Sequence, residues 1–194
     1  MPPVSEDEIP LKIPTSWSWS RFQTLPTSCN IGLDRGKSLQ GSNRAYRYFK
    51  MNNILNKGGF VLSEVTSVDA SDEEVDKFKL QSGELLFNTR NSKELVGKTC
   101  VFEEDGHGIV LYNNNILRAH FSIKIIAHFL DIWMRSPAGK SELEKLKSGT
   151  TNVWAIYQGK LETLACPIPP KEEQHRIVAK VDELMTLCDQ LEQE

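Results

Sequence analysis

Cysteine is scarce in this 194-residue chain, and the four present, Cys29, Cys100, Cys166 and Cys188, lie far apart with no CxxC pair. That spacing argues against a disulfide framework or a zinc site and reads as reduced thiols in a cytoplasmic protein. Long apolar runs are missing, so no membrane span is expected. The first ten residues, MPPVSEDEIP, are acidic and proline-rich, which is wrong for a secretory signal. Positive charge is not in excess: the net charge is −3, which counts against a simple nucleic-acid-binding surface. Catalytic signatures are equally thin. Gly36-Lys37-Ser38 lacks the GxxxxGK[ST] spacing of a phosphate loop, and there is no GxGxxG. His107, His120, His128 and His175 stand apart without metal-ligand spacing, so no metal site is expected. No Ser–His–Asp set stands out either.

What the chain does have is a patterned C-terminus. Ile177, Val181, Leu184, Cys188 and Leu191 follow a 4-3-4-3 spacing, which keeps one narrow stripe on a helix made to lie along another helix. Pro169 and Pro170 stand where proline is tolerated, at or before the first turn, and Glu172 and Glu173 complement the helix dipole there. No breaker interrupts the pattern before Glu194, so the helix reads as cut off and in need of a partner surface. An ordinary amphipathic helix folded onto its own domain is the competing reading.

Upstream, residues 1–15 read as a flexible lead-in with prolines at 2, 3, 10 and 14. Trp17-Ser18-Trp19 alternates as a short strand with its tryptophans in the core. Arg35, Lys37, Arg44, Arg47 and Lys50 follow one another with no intervening acid, leaving room for a basic face on a mildly acidic protein. Lys37 and Ser38 read as an exposed, donor-rich loop. Tyr46 to Met51 alternates as a strand, its aromatics either core or, interleaved with Arg47 and Lys50, a nucleic-acid surface. Phe60-Val61-Leu62 is expected to be the next strand. Ser71-Asp72-Glu73-Glu74 fits a capping box opening a helix to about Phe78. Leu80 to Phe87 is a glycine turn into a buried strand.

That strand delivers the most informative loop, Asn88-Thr89-Arg90-Asn91-Ser92-Lys93 and on to Lys98 and Thr99. Arginine can bridge guanine O6 and N7, and asparagine can pair with adenine. Lysine and serine suit phosphates that set register. A solvated polar loop would carry the same residues. Gly106-His107-Gly108 then reads as the turn of a hairpin into Ile109 to Tyr112, and Asn113-Asn114-Asn115 as a turn into the strand Ile116 to Phe121. A helix over Ile125 to Met134 and a second over Pro137 to Leu146, ended by Gly149, follow. Gly149 to Tyr157 reads as a polar turn and short strand, and Leu161 to Ile168 as a last apolar segment.

Three separated motifs in order carry a family resemblance: Gly83-Glu84-Leu85-Leu86-Phe87 with Asn88-Thr89-Arg90-Asn91-Ser92, then Asn113 to Arg118, then Ile168-Pro169-Pro170-Lys171-Glu172-Glu173-Gln174. From Trp17 to Glu192 the chain resembles the specificity subunits of type I restriction–modification systems, with Glu84 in place of the family's usual aspartate. The resemblance implies a mixed α/β fold of twisted sheets and short helices, followed by a projecting coiled-coil-type helix. It implies recognition without catalysis: residues 16–168 as a DNA target-recognition domain reading half of a bipartite target, and 169–194 as a spacer or dimerisation helix. The implied DNA contacts are Lys37, Ser38, Arg44, Arg47, Asn88, Thr89, Arg90, Asn91, Ser92, Lys93 and Lys98. The implied partners are double-stranded DNA, adenine-methylating modification subunits and restriction subunits. The other half of a specificity subunit, or a second copy, would dock through Ile177, Val181, Leu184, Cys188 and Leu191. S-adenosylmethionine, ATP and magnesium would belong to the partner subunits. A protein-interaction module with little DNA affinity of its own is the alternative.

Overall fold

Five consecutive residues, Glu84 to Asn88, are withdrawn from solvent on both faces, and the architecture is arranged around the strand they form. A strand sends alternate side chains to opposite sides. Leu85 and Phe87 therefore enter one apolar cluster and Leu86 another. The computed structural model describes residues 2–63, 65–150 and 152–191, so the last three positions of the expected C-terminal segment lie outside it.

The first half of the chain contains β1 (Ser18–Arg21), β2 (Ser28–Ile31), β3 (Gln40–Gly41), β4 (Tyr46–Phe49), β5 (Thr66–Val68) and α1 (Asp72–Phe78). Then come β6 (Glu84–Asn88), β7 (Arg90–Asn91), β8 (Thr99–Phe102), β9 (Val110–Tyr112) and β10 (Ile116–His120). The last part holds α2 (Lys124–Arg135), α3 (Pro137–Leu146), β11 (Ser148–Gly149), β12 (Trp154–Ala155), α4 (Gln158–Leu161), β13 (Ala165–Ile168) and α5 (Lys171–Leu191). The result is the expected mixed α/β class.

Strands β2, β10, β6 and β8 make an antiparallel central sheet. One face is covered by α2, whose Phe129, Leu130 and Trp133 meet Leu85, Phe87, Leu117 and Ala119. The other face receives Phe49 and Tyr112 from a second sheet, β3–β5–β4–β9, in which β4 and β9 run parallel. Each fully buried Leu or Phe contributes roughly 1.5–3 kcal/mol. Two smaller sheets, β1–β13 and β11–β12–β7, close the ends.

Local chemistry sets several boundaries. The Ser71 hydroxyl accepts the Glu74 N–H at 3.3 Å while the Glu74 carboxylate accepts the Ser71 N–H at 3.0 Å, the expected capping box of α1. Ser136 caps α3 by accepting the Gly139 N–H at 3.1 Å, with Pro137 in its first turn. Gly139 itself rides on the end of α2: a Cβ there would lie 2.0 Å from the Trp133 carbonyl oxygen.

Several expectations need correction. Phe60-Val61-Leu62 is not a strand. Gly58 and Gly59 take positive φ and fold the chain back on itself, so Phe60 makes only an isolated bridge to Ile54 while its ring packs on the second cluster. β8 and β9 are not a hairpin: they belong to different sheets, and the segment between them crosses from one to the other. α3 spans Pro137 to Leu146 as expected: Lys147 already has extended backbone, and Gly149 enters β11. Leu161 to Ile168 divides into the end of α4 and β13. Arg21 donates to the Pro2 and Pro3 carbonyls of the lead-in and pairs with its Glu8 at 2.5 Å, contacts separate from the flexibility expected there.

The first half of α5 lies along α2. Gln174 and Val178 are buried there, with Ile177 packed against the core, and the Gln174 amide donates to the Pro169 carbonyl at 2.9 Å. Beyond Val181 the apolar residues lose their cover: Leu184, Leu187 and Leu191 are 48%, 48% and 72% exposed.

Gly139→Ala should cost about 2–3 kcal/mol, because the atoms it would strike are α2 backbone and cannot swing away. Urea unfolding followed by tryptophan fluorescence would measure the loss.

Candidate nucleic-acid interface

The central sheet gathers three loops at one end. β2 and β6 flank β10 and run against it, with Ile31 opposite Leu117 and Asn88 opposite Ile116. The chain leaving β2, the chain leaving β6 and the turn entering β10 therefore emerge side by side.

The loop after β6 is held from within. Asn88 is fully buried; its amide nitrogen donates to the Leu95 carbonyl at 3.1 Å and its oxygen accepts the Arg90 N–H at 3.2 Å. Thr89 is buried too, with its N–H and hydroxyl both on the Asn115 carbonyl at 2.8 and 3.0 Å. These two residues shape the loop and do not present their side chains to solvent. Asn91 accepts the Ser92 N–H at 2.9 Å, and both residues are half-buried. Gly97, at positive φ, returns its N–H to the Asn88 carbonyl. The Lys98 ammonium donates to the Ile54 carbonyl, and burial lowers its pKa. Lys93 is exposed, its ammonium 5.0 Å above the Trp154 ring.

Arg90 leaves this loop differently. β7 pairs with β12, Arg90 opposite Ala155, and the Arg90 side chain is exposed. The other arginines of residues 2–168 all face carboxylates. Arg21 meets Glu8, Arg35 meets Glu74 at 2.6 Å, and Arg44 meets Asp69 at 2.6 Å. Arg47 grips Asp105 with both terminal nitrogens, at 2.6 and 2.7 Å. Arg118 faces Glu84 and Arg135 faces Asp131. Among the described residues, no partner is found for the Arg90 guanidinium.

Arg90 sits at a cleft of about 380 Å³ that it shares with Ile31, Asn114, Asn115, Tyr157 and Gln158. Tyr157 is 58% exposed, a large aromatic left in water beside a free guanidinium. A planar fork, short amides and a ring edge suit the hydrogen-bonding and apolar groups of a base-pair edge. Lys37, Ser38, Arg44 and Arg47 are not in this cleft. Lys37 and Ser38 are exposed on a short turn before β3, Arg44 lies between β3 and β4, and Arg47 is in β4. The run of basic residues from 35 to 50 is thus largely neutralised by acids distant in sequence.

Asn114, Asn115 and Tyr157 were not legible as site residues. The asparagines had the form of a turn, and Tyr157 was one residue of a short polar segment. Only the pairing of β7 with β12 carries that segment to Arg90. Among the described residues no cluster of His, Cys, Asp or Glu could hold a metal ion, and no helix is long and apolar enough to cross a membrane. Cys100 and Cys166 are buried, and burial raises both thiols.

Comparison with known proteins fits this geometry. A family described as "Type I restriction modification DNA specificity domain" matches residues 34–194. The specificity subunit of the type I restriction enzyme EcoEI from Escherichia coli is 23% identical over 98% of this chain and 32% of its own length. The EcoKI specificity subunit of Escherichia coli K12 is 26% identical over 68% of this chain and 29% of its own. The chain therefore spans about a third of the length of the curated relatives it matches. Among solved structures, the HsdS subunit from Thermoanaerobacter tengcongensis shares the fold with a TM-score of 0.64 at 19% identity, covering 94% of this chain and 41% of that one. The S subunit from M. genitalium has a TM-score of 0.62 at 18% identity, over 95% and 43%.

The Arg47–Asp105 pair carries a pH signature. Arg47 and the His107 N–H hold the Asp105 carboxyl well below its ordinary 3.8. A carboxyl depressed in the folded state adds stability that is present above its unfolded pKa and disappears as pH falls through the folded one. Asp105→Asn should lower stability at pH 7 and flatten the acid limb below about pH 4. Denaturant midpoints taken between pH 2.5 and 7 would test it.

Proposed function

The chain belongs to the type I restriction modification DNA specificity domain family, and from that membership we propose that it reads one half of a bipartite duplex DNA target without catalysing a reaction. Residues 16–168 are the recognition domain, 1–15 its lead-in and 169–194 the spacer helix. The observation that carries the reading is the isolation of Arg90: among the described residues of 2–168 its guanidinium is the one without a partner, and it lies at the lip of a cleft with Asn114, Asn115 and Tyr157. Leaving such a group in water has a use if a base edge will satisfy it. Asn91, Ser92, Lys93, Lys37 and Ser38 supply further contacts. Arg44, Arg47, Asn88, Thr89 and Lys98 support the surface from their internal partners.

The exposed distal half of α5 fits the second role. Leu184, Cys188 and Leu191 continue the seam of Ile177 and Val181 past the edge of the domain, where another recognition half or a second copy of the chain would cover them. Modification and restriction subunits complete the complex in the cytoplasm, and S-adenosylmethionine, ATP and magnesium act on those subunits.

Selection from a random duplex library, with modification subunit and S-adenosylmethionine present, should enrich a short motif containing adenine. Failure to enrich any motif from an assembled complex would leave only the docking role. Arg90→Ala should cost about 1–3 kcal/mol on the selected site and relax the preference at one base pair. Competition binding against single-base variants would read it, and unchanged discrimination would remove Arg90 from the reading surface.

A further inference from the structure

A second cleft, of about 680 Å³, lies between residues 93–99 and the helices α2 and α3. Its charge runs against that of the chain. Five cations line it: Lys93, Lys98, Arg135, Lys140 and Lys147. Glu94 and Glu144 are the carboxylates on its walls, and Asp131 stands behind Arg135. Cations thus prevail in a protein whose net charge is −3.

The way these cations are held matters as much as their number. Lys98 donates to the Ile54 carbonyl, Lys147 to the Lys93 carbonyl at 2.6 Å, and Arg135 to the Lys57 carbonyl at 2.8 Å. A carbonyl fixes a cation in place without cancelling its charge, and of these three Lys98 has the carbonyl alone, while Arg135 also pairs with Asp131 and Lys147 with Glu144. Glu144 is drawn to Lys147 at 2.7 Å and stands off from Lys93 at 3.9 Å. Lys140 is exposed on α3, and no partner is found for it among the described residues. Lys140 thus stands free at the rim, and Lys93 beside it is exposed and held only by a long pairing to Glu144 and by the Trp154 ring, over a lining in which cations outnumber carboxylates.

We propose that this cleft seats a phosphate of the DNA backbone next to the base pair read by Arg90, with Lys93 and Lys140 as its direct contacts. The inference rests on the reading of the chain as a DNA-recognition domain. Ammonium groups act as point charges and can bind phosphate oxygens without the planar match a guanidinium fork requires. Position supports it as well. Only two residues separate Lys93 from Arg90, and an arginine that reads a base edge needs a phosphate contact nearby to fix its register.

The test uses the full chain and a fluorescein-labelled 30-bp duplex, titrated by anisotropy across a series of KCl concentrations. Lys140→Glu should weaken binding about tenfold for preferred and random duplexes alike. It should also make the slope of log Kd against log[KCl] shallower by about one, since each neutralised phosphate contributes roughly 0.9. Lys140→Arg should restore both, and Lys12→Glu, a control on the lead-in, should change neither. Arg90→Ala should alter the sequence preference and leave the salt slope in place. Wild-type affinity and slope in Lys140→Glu would overturn the proposal. If the wild-type chain binds no duplex, the DNA reading itself fails, and a heparin hexasaccharide then becomes the probe. Amide resonance shifts confined to residues 93–98 and 140–147, and lost in Lys140→Glu, would keep the cleft as a polyanion site of another source. Absence of those shifts would remove it.

Discussion

Everything in this molecule depends on the burial of β6 from both sides. A strand covered on one face can tilt or slip, but one whose alternate residues belong to two separate cores has its register fixed twice. Leu85 and Phe87 are locked by α2, and Leu86 by the second sheet. Asn88 is therefore delivered to a fixed place, and its side chain spends its hydrogen bonds shaping the loop that follows. The rigidity needed at Arg90 is generated by apolar packing well behind it.

Against that frame of packing, charge pairing determines which groups are available. A cationic run is not a cationic surface. Between residues 35 and 47 the sequence places three arginines, and the fold sets Glu74, Asp69 and Asp105 against them from later parts of the chain. Those pairs tie loops to the second sheet. Among the groups near the loop after β6, the pairing leaves one guanidinium beside an exposed tyrosine and an exposed Lys140 at a neighbouring cation-lined cleft.

The legible and illegible parts of the structure divide along physical lines. Elements coded by neighbours in sequence were readable: the Ser71–Glu74 box, the Ser136-Pro137 start of α3, the buried strand ending at Asn88 and the C-terminal helix. Features that depend on which distant segment becomes a neighbour were not. The expected strand at Phe60 fails because the positive-φ glycines turn the chain before a ladder can form. The expected hairpin of β8 and β9 fails because β9 pairs with β4, some sixty residues upstream. The loop after β6 stood out by its composition, yet its residues have opposite fates: Asn88 and Thr89 turn inward while Arg90 and Lys93 turn outward. Composition alone could not sort them, nor could it bring Tyr157 or Lys140 to their sides.

The pairing of the arginines also has a kinetic side. Long-range attraction to a polyanion scales with charge that is free to act, and at physiological salt its reach is only about 8 Å. A domain with net charge −3 whose arginines are mostly held at home is pulled only weakly towards DNA in general. On the proposed reading, each encounter with a wrong sequence is brief, because few contacts form there to hold the protein. Residence time is then set almost wholly by the few groups that find their base or phosphate. On that same reading, discrimination would come from rapid release, which the pairing of Arg35, Arg44 and Arg47 with acids would favour.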